Sequence, residues 1–298
     1  MVPSNRAHRA GIVFAILATV IFACGDAASK TLVVDHSVWF IMMARYWFHL
    51  TVALIWAASR PGGIKGALRS NHRAIQVLRG VLLFTEVALI IMTFARLGLA
   101  ETTTLIMVHP LMVTALAALF LGEQVGWRRI TALLVGMTGL LIIMQPTGNI
   151  WGVGGLIGLA ATSAFAVYQL FTRLVSRHDD AMTSFLYAGI VGVVMSTILG
   201  LPNIPDWEVI NWPLLAGVCM SSTLAHFFVI KALTLVEASA IQPYTYLQIV
   251  WSIPIGFVIF GTLPIWSTLL GAALIVAAGL YSLHRGRVQN QAPDATQG

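Results

Sequence analysis

Asp26, Lys30, Arg45, His49, Glu86, His109 and His226 interrupt apolar segments long enough to cross a bilayer. An ionisable group in hydrocarbon costs at least ~2.5–3.5 kcal/mol on insertion scales, so such residues face a cavity or a partner. Asp26 and Arg45 fall at similar depths in adjacent spans. They form either a gate and the charged end of a solute site, or a structural ion pair that fixes two helices. Such a pair is costly to break on one side only. Glu86, His49 and His109 fall near mid-depth. A carboxylate there can carry a proton, and an imidazole can change its charge near neutral pH. The plainer alternative holds Glu86 against Thr85 or a backbone carbonyl and leaves each histidine as a neutral packing residue. His226 lies nearer a span end, beside Ser221 and Ser222.

Aromatic and amide side chains form a second set: Tyr168 and Gln169, then Tyr244, Tyr246, Gln248 and Trp251. Tyr244 and Gln248 are four apart and would share a face of one continuous helix. Hydroxyl, amide and ring surface suits a small amphipathic solute. Tryptophans near span ends, such as Trp39, Trp127 and Trp266, read instead as interfacial anchors. Pro110, Pro243 and Pro254 fall inside spans and predict kinks. These kinks either bend to open a pathway or shape a cavity statically. The Gly154-x-x-x-Gly158 spacing predicts close helix approach.

The elements that hold these residues are helical spans. Of 298 residues 58% are hydrophobic and only 9% charged, against roughly 25% charged in a soluble domain. Too few polar side chains exist to cover a water-facing surface. A span needs about 20 apolar residues, and spans are expected near 11–30, 38–58, 74–96, 101–121, 128–145, 151–172, 181–200, 210–230, 238–260 and 265–284. Runs this long are helices rather than the short alternating strands of a barrel. With the N-terminus inside, the inner loops and tails hold Arg6, Arg9, Arg60, Lys65, Arg69, Arg73, Arg79, Arg128, Arg129, Arg173, Arg177, Lys231, Arg285 and Arg287. This positive-inside bias puts both ends in the cytoplasm. It also accounts for the net charge of +6 without nucleic acid. Arg6 and Arg9 before an apolar run resemble a signal peptide, but bulky Phe22 before Cys24, with Asp26 and Lys30 following, favours an uncleaved first helix.

The chain repeats itself. Residues 95–139 and 231–279 each open with L-x-L-x-E, pass through an apolar run to a glycine, and reach a tryptophan five residues later. Glu101 answers to Glu237, Gly122 to Gly261 and Trp127 to Trp266. Ala18-Thr19 and Phe22-Ala23 likewise resemble Ala161-Thr162 and Phe165-Ala166. Five spans per half force the second half to enter the membrane the opposite way round, and such inverted repeats give alternating access a structural basis. The expected architecture is an all-α membrane protein of ten transmembrane helices in two inverted five-helix repeats, 1–145 and 150–287, with a disordered tail over 288–298.

Leu121-Gly122-Glu123, Pro110 and Arg45 make the chain resemble the drug/metabolite transporter superfamily, EamA-type, over nearly its whole length. Thr262 departs from that pattern, since a glutamate commonly follows the glycine there. In length and texture the chain is similar to YddG-like exporters of amino acids and related metabolites. The resemblance implies a bacterial inner-membrane exporter of small metabolites, amino acids first among them, including aromatic or hydrophobic ones. Its partners would be that solute and the lipid bilayer. Either solute moves down its own gradient, or a proton returns through Glu86 or a histidine.

Other readings compete. Within transport, the solute could be sugar-like, nucleoside-like or a drug-like cation. An intramembrane enzyme would need a nucleophile with its base, or paired aspartates at one depth, and Asp26 has no second membrane aspartate. No P-loop, zinc-protease or nucleophile-elbow motif occurs. No cofactor or metal is expected.

Overall fold

The computed structural model describes residues 5–94, 96, 105–144, 152–260 and 266–289. Its regular elements are helices, and no strand occurs among the described residues. The first stretch contains α1 (Asn5–Leu32), α2 (Val38–Ala58), short α3 (Gly63–Ala67) and α4 (Arg73–Phe94). Next come α5 (His109–Leu121), α6 (Trp127–Met144), α7 (Val153–Val175), α8 (Ala181–Gly200) and α9 (Trp212–Leu235). The chain continues through α10 (Ala238–Thr245), α11 (Leu247–Phe260) and α12 (Trp266–Gln289). Helices within Arg6–Leu32, Val38–Ala58, Val153–Val175, Ala181–Asn203 and Trp212–Leu235 are long and apolar enough to cross a membrane. The protein is an integral membrane protein by this measure, and Leu156, Ile198, Trp127 and Trp266 stand exposed on its flanks.

Local chemistry sets the ends. Asn211 Oδ1 accepts from the Leu214 amide at 3.1 Å and caps α9, with Pro213 in the first turn. Gly122 ends α5 at φ 64°, a left-handed conformation that a Cβ disfavours. Two expectations change here. The stretch 238–260 is not one helix but breaks at Tyr246, three residues after Pro243. Pro110 does not kink a helix interior. It stands in the first turn of α5, where its missing N–H costs nothing. The final helix runs on to Gln289, two residues into the expected tail. Glu101, Gly261, Thr262 and the linker 145–149 lie outside the described residues.

In a bilayer, lipid tails are as apolar as leucine, so helices associate through close packing and polar contacts. Small residues supply the closeness: Ala15, Ala18, Ala117, Ala166, Ala232 and Ala240 form one buried cluster joining α1, α5, α7, α9 and α10. α1 packs on α9, α4 on α7 and α8, α2 on α8, and α5 on α7 and α10. α6 and α12 pack mainly on each other, in keeping with their sparse polar content. The helix ends bearing Arg60, Arg129 and Arg173 gather at one basic face through ion pairs to Asp180, Glu237 and Glu123.

Candidate functional site

Asp26 of α1, Arg45 of α2 and Glu86 of α4 stand close enough for their charges to act on one another. Asp26 is exposed, and Arg45 and Glu86 are half-buried. Gln248 of α11 donates Nε2–H to Asp26 Oδ2 at 2.8 Å. Arg45 Nη2 donates to Ser222 Oγ of α9 at 2.6 Å. The expected Asp26–Arg45 bridge is absent among the described residues. The reason is geometric: α11 and α9 present neutral polar groups to each charge, so both keep capacity for further partners. Glu86 makes no hydrogen bond or ion pair among the described residues, Thr85 included. Arg45, Tyr46, His49, Ser222 and His226 line one narrow cleft.

The histidines divide. His49 is buried beside that cleft, and its Nε2 lies 2.9 Å from the Phe185 carbonyl, so the ring donates there. Its ring centroid is 4.0 Å from that of Phe185. His109 is buried too, with Nδ1 2.9 Å from the Ile106 carbonyl and its edge on Phe165. Its Nε2 has no partner among the described residues, nor has Nδ1 of buried His226.

Toward the basic face lies a denser polar layer. Arg79 was expected among inner-loop charges, yet it is fully buried inside α4. It donates to Gln76 Oε1 at 3.2 Å, to Thr172 Oγ1 at 3.1 Å and to the Ser184 carbonyl, and it lies over the Tyr168 ring. A guanidinium can be buried only when its donors are satisfied in this way. Gln76 bridges Arg79 to a carboxylate by donating Nε2–H to Asp179 Oδ2 at 2.9 Å. Gln169 accepts from Gln242 at 3.1 Å. The Tyr168 hydroxyl is buried and unpartnered among the described residues.

The break at Tyr246 separates residues that one helix would have aligned. Tyr244 is buried at 2% exposure. Tyr246 turns against Gly136 of α6 and joins Leu133, Leu140 and Ile275, away from Asp26. Gln248 and Trp251 face α1, where the indole donates to Thr19 Oγ1 at 3.1 Å. Pro243 lies inside α10 and Pro254 inside α11.

Sequence reasoning missed the importance of Glu123. This buried carboxylate accepts from the Ala238 and Ser239 amides at 3.0 Å each, and from Ser239 Oγ at 2.6 Å. It therefore caps the first turn of α10, where helix dipole and free N–H groups favour an anion. The signal was the Leu121-Gly122-Glu123 motif. A larger cleft of about 660 Å³ opens between Arg60, Arg69, Ser70, Arg73 and His178. It sits at the basic face, lined by loop residues and the ends of α3 and α8, with Asp179 of the Arg79 layer at its wall.

Comparison with known proteins agrees with a membrane carrier. The EamA-like transporter family matches residues 9–145 and again 152–283. The riboflavin transporter of Vibrio cholerae is 26% identical over 89% of this chain and 90% of its own length. The S-adenosylmethionine uptake transporter of Rickettsia prowazekii is 28% identical over 92% of each. The pseudopaline exporter CntI of Pseudomonas aeruginosa is 25% identical over 91% of this chain and 94% of its own. One solved crystal structure has the same fold, with a TM-score of 0.82 at 15% identity, covering 94% of this chain and 99% of that one. The chain belongs to the EamA-like transporter family and is a small-metabolite transporter rather than an enzyme.

Proposed function

We propose that this protein is a secondary carrier exporting amino-acid-like metabolites, including aromatic or hydrophobic ones, across the bacterial inner membrane. It works by alternating access between two inverted five-helix halves, 1–145 and 150–287. The two successive family matches support the halves, and the arginine-rich face supports cytoplasmic termini. The observation that carries the reading is the Asp26, Arg45 and Glu86 group, met by Gln248 and Ser222 from the other half. Arg45 with Ser222 suits a carboxylate. Asp26 and Glu86 suit an ammonium. The aromatic surface beside them, Tyr46 and Trp251, suits an apolar side chain.

A second reading keeps the same charges but enlarges the solute. S-adenosylmethionine is an α-amino acid joined to a nucleoside, and relatives carrying it or riboflavin favour a ring-bearing substrate. The similar proteins include both an S-adenosylmethionine uptake transporter and a pseudopaline exporter, so the assay measures flux in both directions. Efflux from proteoliposomes loaded in turn with labelled amino acids, S-adenosylmethionine and riboflavin, and uptake of each from outside, with and without a pH gradient, separate these readings. Movement of an amino acid above empty liposomes is the expected result. Movement of riboflavin alone would overturn the zwitterion site.

A further inference from the structure

Resting on the carrier reading, we infer that Glu123 is the latch that closes the pathway at the basic face. Glu123 follows α5 in the first half, but its side-chain hydrogen bonds among the described residues all go to α10 in the second. Arg173 of α7 stands 3.6 Å from the same carboxylate and donates Nη1–H to the Leu233 carbonyl of α9 at 2.9 Å. Ser176 Oγ reaches that carbonyl too, at 3.1 Å. Arg129 of α6 bonds Glu237 at 3.2 Å and also Ser239. Apart from the Arg173–Glu123 pair, which lies within one wall, these contacts tie the wall of α5, α6 and α7 to the wall of α9 and α10. Directly behind them Gln169, Gln242 and Tyr168 are buried, whereas Asp26 on the far side is exposed. The two walls thus meet at Glu123, with buried side chains directly behind the contact.

The chemistry suits a switch. When the walls part at this face, Glu123, Arg173 and the α10 amides all reach water, which replaces what they lose. When the walls meet, the Glu123 carboxylate and the Ala238 and Ser239 amides are paired, and Arg173 faces the carboxylate at ion-pair distance. A carboxylate supplies two acceptor oxygens to three donors, and a neutral amide supplies only one.

The test is pulsed electron-spin distance measurement in liposomes, with labels at Gln124→Cys and Thr234→Cys and with Cys24→Ser and Cys219→Ala. These labels flank the latch on opposite walls. The parent is expected to give one short distribution. Glu123→Gln is expected to add a longer one, raising the open population from about 1% to about 10%. Ser239→Ala, which removes only one hydroxyl, is expected to move it the same way by less, and decides the matter should Glu123→Gln fail to fold. Unchanged distances in a folded Ser239→Ala variant, together with unchanged distances in any folded Glu123→Gln, overturn the latch. The readout needs no solute, so it stands apart from any failure of the transport assay.

Discussion

Gln248 Nε2 lies 2.8 Å from Asp26 Oδ2, a hydrogen bond between the first helix and the second half of the broken helix pair. It leaves one carboxylate oxygen of Asp26 unengaged by any hydrogen bond among the described residues. A charge held in this way is positioned but not neutralised. That combination serves recognition of a cation better than it serves helix packing, where a full ion pair would be expected.

Replacing Asp26 by Asn should therefore separate structure from function. The amide oxygen can still accept from Gln248, so thermal stability in detergent should change by less than about 1 kcal/mol. Solute efflux should fall at least about tenfold, because a charge-assisted contact is lost. Equal losses in both would mark Asp26 as a packing residue.

Arg45 makes the complementary case. Ser222→Ala removes its hydroxyl partner while keeping the charge, and a few-fold rise in the apparent KM for efflux is expected. Arg45→Lys keeps the charge but loses the planar fork that fits a carboxylate. Its KM should rise by about a factor of ten or more, with the purified protein still monodisperse. An Arg45→Lys carrier with native KM would remove the carboxylate from the site.

Much of this arrangement was legible in the sequence, and the remainder has physical reasons. Charged residues in apolar runs marked Asp26, Arg45 and Glu86 as exceptional because their insertion is costly. Their pairing was not legible, since depth along a helix says nothing about which way a neighbouring helix is turned. Arg79 was misplaced because positive-inside counting assigns a basic residue near a span end to the loop. Its burial depends on acceptors from α7 and α8 about a hundred residues away. Tyr246 was grouped with Gln248 because a proline three residues earlier signals a kink but not the rotation that follows it.

Gly192 packs where a side chain has no room: a Cβ there would sit 2.0 Å from Tyr46 Cδ1. Tyr46 is backed by Phe84 and His49, so it cannot swing aside. Gly192→Ala should destabilise the contact between α2 and α8 by ~1–3 kcal/mol, read as a fall in melting temperature. Adding Tyr46→Leu should restore part of that loss. An unshifted single variant would mean the helices slide freely here.

Asp179 predicts an acid-side slope in stability. Burial acts to raise its pKa, but hydrogen bonds from Ser70, Gln76 and the Asn71 amide, with the charge of His72, hold it below the ordinary carboxylate value. His178 and the Arg60–Asp180 pair flank the same loop. A depressed folded pKa contributes stability that is fully present above the unfolded value of about 3.9 and is lost as pH falls through the folded one. Melting temperature should therefore drop as pH falls below about 4. Asp179→Asn should be less stable at neutral pH and show a flatter acid limb. An acid limb of unchanged steepness in that variant would assign the slope to other carboxylates.

Glu86→Gln separates the two energetic routes. Glu86 is half-buried, lies within reach of Arg45 and Asp26, and has no hydrogen-bond donor among the described residues. A carboxylate without a fixed donor exchanges a proton without breaking structure, which is what coupling requires and packing does not. Glu86→Gln should leave folding intact, because no described contact depends on its charge. If a proton returns through this site, the variant still exchanges labelled solute for unlabelled solute but no longer accelerates when a pH gradient is imposed. If the carrier is a facilitator, parent and variant respond alike to the gradient once substrate ionisation is allowed for. Loss of exchange together with gradient response would instead place Glu86 on the solute, beside Asp26, as a second carboxylate for its ammonium group.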